Sequence, residues 1–279
     1  MTIARPTTLD AALDALTELA GADLLAGGTD LMVEVTHGAR RPTHVVALRR
    51  VHELAHVDID PMHLRLGALV RWSTLEADLT GVAPGLAMAA RTVGSPQIRN
   101  AGTLGGNLAT ASPAGDALPW LVAMDAEVHL ASPRGVRTLP VAEFLTGPKR
   151  TARAADEVLT GVSVPRVDGP QHVAKVGARN AMAISLASLA IVVDTTTRRV
   201  RVALGSVGPT VVRPRGAEDA VSAAMDWDRL TCPADAIERF TADCAEAARP
   251  IDDHRATAAY RRHAVGVLAG RSLARCLAR

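Results

Sequence analysis

The sequence is poor in aromatic residues and in cysteine. Phenylalanine, tryptophan and tyrosine together make up 2% of its 279 residues. The three cysteines, Cys232, Cys244 and Cys276, lie in the C-terminal fifth without a C-x-x-C pair. This spacing argues against a zinc or iron–sulfur site built by this chain, and the cysteines are expected to be free thiols on helices.

An excess of one charge and a long apolar run are also lacking. With 31 basic and 29 acidic residues the net charge is +2, so nothing predicts a nucleic-acid partner. The apolar run over 182–193 contains Ser185 and Ser188 and is shorter than the roughly 20 residues that span a bilayer. The N-terminal residues lack the apolar core of a secretory signal. We expect a cytoplasmic chain that does not span a membrane.

Motifs for several chemistries are absent. The sequence has no G-x-S-x-G nucleophile turn, no phosphate-binding G-x-x-x-x-G-K-[ST] loop and no G-x-G-x-x-G opening a βαβ unit. His52 and His56 have the i, i+4 spacing of helical metal ligands, but no third ligand accompanies them, so a solvated surface is the favoured interpretation. Any chemistry is therefore expected to come from a bound cofactor.

The hydrophobic pattern predicts an α+β protein. Residues 7–21 read as a capped amphipathic helix, and residues 23–48 as strand, glycine turn, helix and strand, which together form a βαβ-like lobe. Later segments predict hairpins and helices, with a capping box at Ser73–Glu76. These are hairpins at 56–69, 127–140 and 191–204, a strand at 157–164, and helices at 85–93, 117–124, 233–248 and 255–277.

The turn-rich segment Arg166–Pro170 is the best candidate for a domain boundary. It divides the chain into residues 1–168, with lobes of about 1–52 and 53–168, and residues 169–279, with an antiparallel sheet and helices.

Two glycine-rich segments are the strongest functional signals. The first, residues 24–31, reads as strand, tight turn and helix start, so backbone N–H groups there can meet an anion. The second, residues 101–116, carries four glycines and reads as a loop whose N–H groups also suit an anion. For the first segment the alternative is a βα turn with nothing bound. The residues of this first segment are Leu24, Leu25, Ala26, Gly27, Gly28, Thr29, Asp30 and Leu31.

The second segment carries a family resemblance. Thr103-Leu104-Gly105-Gly106-Asn107, followed by Ala-Ser-Pro and then Asp116, resembles the FAD-binding medium subunits of molybdenum hydroxylases, such as those of the carbon monoxide dehydrogenase and xanthine dehydrogenase type. The first segment is similar to that family's first loop for the flavin diphosphate. The resemblance covers nearly the whole chain and implies a two-lobed FAD domain of the PCMH type followed by a C-terminal domain.

The resemblance also implies roles for single residues. Residues 103–107 would be a second clamp on the cofactor, and Asp116 would accept hydrogen bonds from ribose or adenine or else cap the following helix. Asp30 is awkward beside a diphosphate, so it would cap its helix or touch a hydroxyl. Leu159 would touch the flavin through its backbone, with a plain core leucine as the alternative. Lys175 would stabilise negative charge near the flavin ring, with an exposed strand lysine as the alternative.

The implied function is electron transfer. In such enzymes a large subunit carries molybdopterin, a small subunit carries 2Fe–2S clusters, and the flavin subunit passes electrons to an acceptor such as NAD or a quinone. Two rivals remain open: a stand-alone flavoprotein oxidoreductase acting directly on a small molecule, and a non-catalytic subunit that has lost FAD. The few aromatic residues predict that aliphatic side chains pack against the ring.

Overall fold

The computed structural model describes residues 1–278 and begins with a small parallel sheet. Strands β1 (Thr2–Ala4), β2 (Asp23–Leu25) and β3 (His44–Ala47) lie in the order β1-β3-β2. Helix α1 (Leu9–Glu18) follows β1, and α2 (Leu31–Thr36) connects β2 to β3 in the predicted βαβ arrangement. Strand β1 was not predicted, because three residues are too few for a periodic signal.

A five-stranded antiparallel sheet forms the centre of the molecule, in the order β4-β5-β10-β6-β7. Its apolar face packs against helices in one core that includes Leu66, Leu121 and Val162. The strands are β4 (Val57–Ile59), β5 (His63–Gly67), β6 (Glu127–Ser132), β7 (Gly135–Pro140) and β10 (Val158–Pro165), with the β8 (Leu145–Gly147) and β9 (Arg150–Thr151) hairpin beside them. The helices are α3 (Trp72–Asp78), α4 (Pro84–Thr92), α5 (Pro96–Ala101), α6 (Leu104–Thr110), α7 (Leu118–Ala123) and α8 (Val141–Phe144).

The C-terminal sheet is covered on both faces. It consists of β11 (Gln171–Val176), β12 (Ala187–Asp194) and β13 (Arg199–Gly205), and every residue of β12 is buried. Ala190 and Val192 join the central core, whereas Leu189 and Ile191 pack against the last helices. Those helices are α9 (Arg215–Ala224), α10 (Ala234–Ala247) and α11 (Ala258–Leu277). None of the helices that the structure describes is long and apolar enough to cross a membrane.

Several local predictions were wrong. Helix α3 begins at Trp72 with Arg71 as its N-cap, so Ser73 does not cap it. The favoured interpretation of His52 and His56 as a solvated surface agrees with the structure, since both are exposed and the short 3₁₀ turn that contains His52 ends before His56. Strand β11 and helix α9 were missed. In β11 the alternation is obscured because polar residues such as Gln171 turn inward.

The three thiols differ in environment. Cys244 and Cys276 are buried on α10 and α11, whereas Cys232 precedes α10 and is half-buried, so only two of the three predicted helix positions are correct. Burial raises the pKa of Cys276 to about 12 and raises the pKa of Cys244 further.

Partial burial and the Asp235 charge also raise the pKa of Cys232. Because Cys232 is only half-buried, we still expect a thiol reagent at about pH 8 to label it in the native protein and to leave the other two cysteines unlabelled. Denaturant should expose all three, and Cys232→Ser should abolish the native reaction. Rapid native labelling of the Cys232→Ser variant would show that α10 or α11 opens easily.

Candidate functional site

A cleft of about 550 Å³ lies between the parallel sheet and the helices on the central sheet. This volume is within the range of small-molecule and cofactor sites, roughly 300–1,000 Å³. All predicted site residues except Leu104 and Lys175 line it. Those that do are Leu24, Leu25, Ala26, Gly27, Gly28, Thr29, Asp30, Leu31, Thr103, Gly105, Gly106, Asn107, Asp116 and Leu159.

The first glycine segment forms the expected turn between β2 and α2. Gly28 has φ of +76°, a left-handed conformation that glycine adopts without a steric penalty. Within residues 1–278, the N–H groups of Gly27, Gly28 and Thr29 donate no hydrogen bond. Free N–H groups before a helix suit an anion such as a diphosphate.

The two glycine segments touch each other. A Cβ on Gly27 would overlap the carbonyl oxygen of Ala101, so the close approach of the two backbones requires glycine. On the other side of the turn, Thr110 Oγ1 donates to the Asp30 carboxylate at 3.3 Å. Asp30 makes no side-chain capping hydrogen bond, so its predicted capping role is wrong, and its contact with a cofactor hydroxyl stays a prediction. These contacts fix the first turn against α6.

The middle of the second glycine segment, residues 104–110, is helix α6 rather than a loop. Thr103 caps α6, and its Oγ1 accepts from Gly106 N at 3.0 Å. The N–H groups of Leu104 and Gly105 donate to the carbonyl oxygens of Val70 and Ala68, at 3.0 and 2.8 Å. Since these donors are already used inside the protein, the predicted N–H concavity for an anion is wrong for residues 104–107. Leu104 itself is fully buried in the central core.

Two features of α6 leave room and bonding capacity for a ligand. A Cβ on Gly106 would meet only Thr103 Oγ1, at 3.0 Å, so the cleft is open above this glycine. Asn107 Oδ1 is buried and has no hydrogen-bond partner in the described part of the chain. A buried, unpaired amide oxygen in a cleft is costly unless a ligand or water donates to it.

Asp116 and Lys175 form an ion pair at the wall of the cleft. Lys175 Nζ donates to Asp116 Oδ1 at 2.9 Å, to Thr92 O at 2.8 Å and to Ala183 O at 3.2 Å. Burial raises the pKa of Asp116, although the Lys175 ammonium acts in the opposite direction. Lys175 is on a strand as the alternative supposed, but its side chain is only 15% exposed. Asp116 does not cap the following helix, because α7 has no side-chain cap.

The basic end of the cleft, which we define as Arg40, Lys149 and Arg153, was not predicted from the sequence. Arg40 Nε donates to Asp23 at 3.2 Å, and Lys149 Nζ lies 2.5 Å from a Glu34 oxygen. Glu34 and Lys149 are 115 positions apart in the sequence, so no local sequence pattern indicated this pair. Leu159 is both a core strand residue and a lining residue, so its two predicted interpretations are compatible.

The opposite, aliphatic end consists of Val93, Ile98, Met182 and Ile184. Met182 and Ile184 are more than half exposed. Trp72 is the one aromatic residue of the described chain that lines the cleft, and it is almost fully buried. The expected aliphatic packing therefore has candidates at this end.

Comparison with known proteins identifies the family. A family model described as the FAD binding domain in molybdopterin dehydrogenase matches residues 1–167, and one described as the CO dehydrogenase flavoprotein C-terminal domain matches residues 172–276. The chain belongs to this family. The predicted family and its FAD cofactor are confirmed, and so is the α+β fold.

Individual relatives agree with this assignment. The nicotinate dehydrogenase FAD-subunit of Eubacterium barkeri is 36% identical over 180 residues, which are 61% of this chain and 61% of that one. The carbon monoxide dehydrogenase medium chain of Hydrogenophaga pseudoflava is 30% identical over 270 residues, covering 91% and 90%. A solved structure of carbon monoxide dehydrogenase from that organism, lacking the Mo-pyranopterin moiety, matches with a TM-score of 0.89 and 26% identity over 99% of this chain and 96% of that one. The chain is an oxidoreductase subunit of this family.

The residues of the cleft fit FAD. The free N–H groups of residues 27–29 suit the diphosphate, the open space above Gly106 admits a ligand against α6, and Asn107 Oδ1 lacks a donor.

Proposed function

We propose that this chain is the electron-transfer subunit of a molybdopterin-dependent hydroxylase or dehydrogenase. Residues 1–168 would hold FAD between their two lobes, and residues 169–279 would close the site. Bound FAD supplies redox chemistry that exchanges electrons with both one-electron and two-electron partners. The observation that carries the proposal is the cleft that joins the turn at 27–29 to α6, beside the Asp116–Lys175 pair.

The role of each residue follows from its contacts. The N–H groups of Gly27, Gly28 and Thr29 bind the diphosphate, and the Asn107 side chain bonds a ribityl or ribose hydroxyl. Thr103 holds the first turn of α6 in place through its cap. Lys175 fixes the Asp116 carboxylate at the wall, so it positions that charge rather than contacting the cofactor through its own N–H groups.

Partner subunits complete the reaction. We propose a small subunit with 2Fe–2S clusters as the electron donor, a large subunit with molybdopterin as the site of substrate oxidation, and NAD or a quinone as the acceptor. The names of the relatives support this assembly, since one is called a medium chain and another an FAD-subunit. Within the part of the chain that the structure describes, no group of histidine, cysteine and acidic residues could hold a metal ion. We place the complex in the cytoplasm.

The isolated chain is expected to bind FAD but not to reduce it with organic substrates. The same chain in a complex purified from its native cell should show loss of the oxidised flavin absorbance when the complex receives its substrate under anaerobic conditions. Dithionite should reduce the flavin in both samples, which controls for an inaccessible cofactor. Substrate-driven reduction of the isolated chain would favour the stand-alone flavoenzyme, and absence of any bound flavin would favour the non-catalytic subunit.

A further inference from the structure

The two ends of the cleft differ in charge, and following β2 along the chain shows where the turn at 27–29 lies relative to them. Strand β2 leads from Asp23 at the basic end to the turn at 27–29, which lies against Ala101 and α6. Beyond the turn, Asp116 and the Lys175 bond to Ala183 O mark the aliphatic end. The diphosphate donors therefore lie between the two ends, and the halves of a dinucleotide extend in opposite directions from them.

Arg153 differs from the other two cations of the basic end. Arg40 and Lys149 are exposed and paired with carboxylates. Arg153 is half-buried and has no carboxylate within ion-pair distance in residues 1–278. Its two acidic neighbours along the chain are already paired, because Asp156 binds Arg134 and Glu157 binds Arg137, the latter at 2.6 Å.

One arm of the Arg153 guanidinium is anchored, and the rest is free. Its Nη1 donates to the carbonyl oxygens of Glu157, Ala154 and Ala155, at 2.7, 3.0 and 3.4 Å. Its Nε and Nη2 have no hydrogen-bond partner among the described residues, although the side chain lines the cleft. Burial lowers the pKa of this guanidinium, as expected for a cation removed from water. The bonds at Nη1 anchor the planar guanidinium at the wall of the cleft.

A planar, delocalised cation of this kind stacks well on an aromatic ring. No aromatic side chain lines the basic end, because Trp72 contacts Gly102 and lies near α6. The aliphatic end, with its exposed apolar side chains, suits the larger isoalloxazine ring, whose dimethylbenzene edge is apolar. We propose that Arg153 binds the adenine half of FAD by stacking its guanidinium plane on the adenine ring, and so selects FAD over FMN.

The proposal rests on the placement of FAD in the cleft and is tested by comparing two flavins. FMN keeps the ring and one phosphate but lacks the adenosine half. Apoprotein would be titrated with FAD and with FMN, and the dissociation constants read from flavin fluorescence. We expect Arg153→Leu to weaken FAD binding about tenfold and to leave FMN binding unchanged. ADP should also compete less well with FAD in this variant.

Two further variants separate stacking from charge and from folding. Arg153→Lys keeps a donor for the carbonyl oxygens that now accept from Nη1, but it removes the planar guanidinium group. FAD binding should therefore stay weakened, while the thermal unfolding temperature of the apoprotein should not change. Arg150→Leu is the matched control, because Arg150 is exposed on the neighbouring strand and does not line the cleft. It should bind both flavins like the parent protein.

The outcomes are distinct. Equal weakening of FAD and FMN would overturn the adenine assignment and place Arg153 at the flavin half. FAD affinity unchanged in both Arg153 variants would remove Arg153 from the binding site. Failure of the unsubstituted protein to bind FAD would instead overturn the proposed function.

Discussion

Gly106→Val is expected to give a folded protein that purifies without bound flavin. The valine side chain would extend into the cleft, where only Thr103 Oγ1 lies close to a Cβ at this position. FAD affinity should fall on the order of a hundredfold or more, equivalent to about 2.7 kcal/mol. Stability should change by no more than about 1 kcal/mol, the worth of a perturbed N-cap. Flavin content of the purified protein and thermal unfolding of the apoprotein measure the two effects.

Two other glycines serve as controls. Gly216 lies on α9, and a Cβ there meets nothing within 4 Å, so Gly216→Val should keep its flavin. A Cβ on Gly105 would lie 2.6 Å from Ala68 Cβ and 2.7 Å from Ala68 O, so Gly105→Val should lose both flavin and stability. Full flavin content in Gly106→Val would mean that the cofactor does not lie against α6.

Lys175→Met should destabilise the protein by about 3–5 kcal/mol, because it leaves the Asp116 carboxylate mostly buried without its cation. The bonds from Lys175 to Thr92 O and Ala183 O are lost as well. If FAD is retained, its reduction should become harder, since negative charge at the wall opposes negative charge on the ring. Each loss of roughly 1.4 kcal/mol is a tenfold change in that equilibrium. Denaturant unfolding and the midpoint potential are the two measurements.

The double variant Lys175→Met with Asp116→Asn distinguishes two routes for this effect. Recovery of the potential in the double variant would mean that Lys175 acts through Asp116. A potential that stays low would mean that Lys175 acts directly on the ring, as the family resemblance implied. An unchanged potential in the single variant would show that the pair lies away from the ring.

The same variant should show a pH dependence. Burial already raises the pKa of Asp116, and loss of the ammonium removes the main opposing effect. A folded-state pKa above the unfolded value of about 3.9 means that the folded protein holds a proton that the unfolded chain releases. Stability is then lost as pH rises through the interval between the two values. Denaturant unfolding of Lys175→Met should therefore give lower stability at neutral pH than at about pH 5, and Asp116→Asn should flatten this difference.

The sequence by itself determined the local geometry of the first glycine segment. Because β2, the turn and α2 are consecutive, the apolar strand, the glycine pair and the helix start were readable as one unit. The family resemblance of residues 103–107 was also recognisable from the sequence, but the helix that they begin was not predicted. Gly105 and Gly106 are poor helix formers. The first turn of α6 is stabilised because Gly105 N donates to Ala68 O and Gly106 N donates to Thr103 Oγ1.

Only the tertiary structure decided which groups are free to bind. Whether an N–H is available depends on carbonyl oxygens from distant segments, so the donors of Gly27 remain open while those of Gly105 are used. Lys175 and Asp116 are 59 residues apart, and their pairing follows from the packing of the C-terminal sheet on α7. The unpaired charge of Arg153 arises in the same way, because Arg137 occupies Glu157. Sequence spacing does not predict such contacts, because burial and ion pairing depend on surfaces that meet only when the chain is folded.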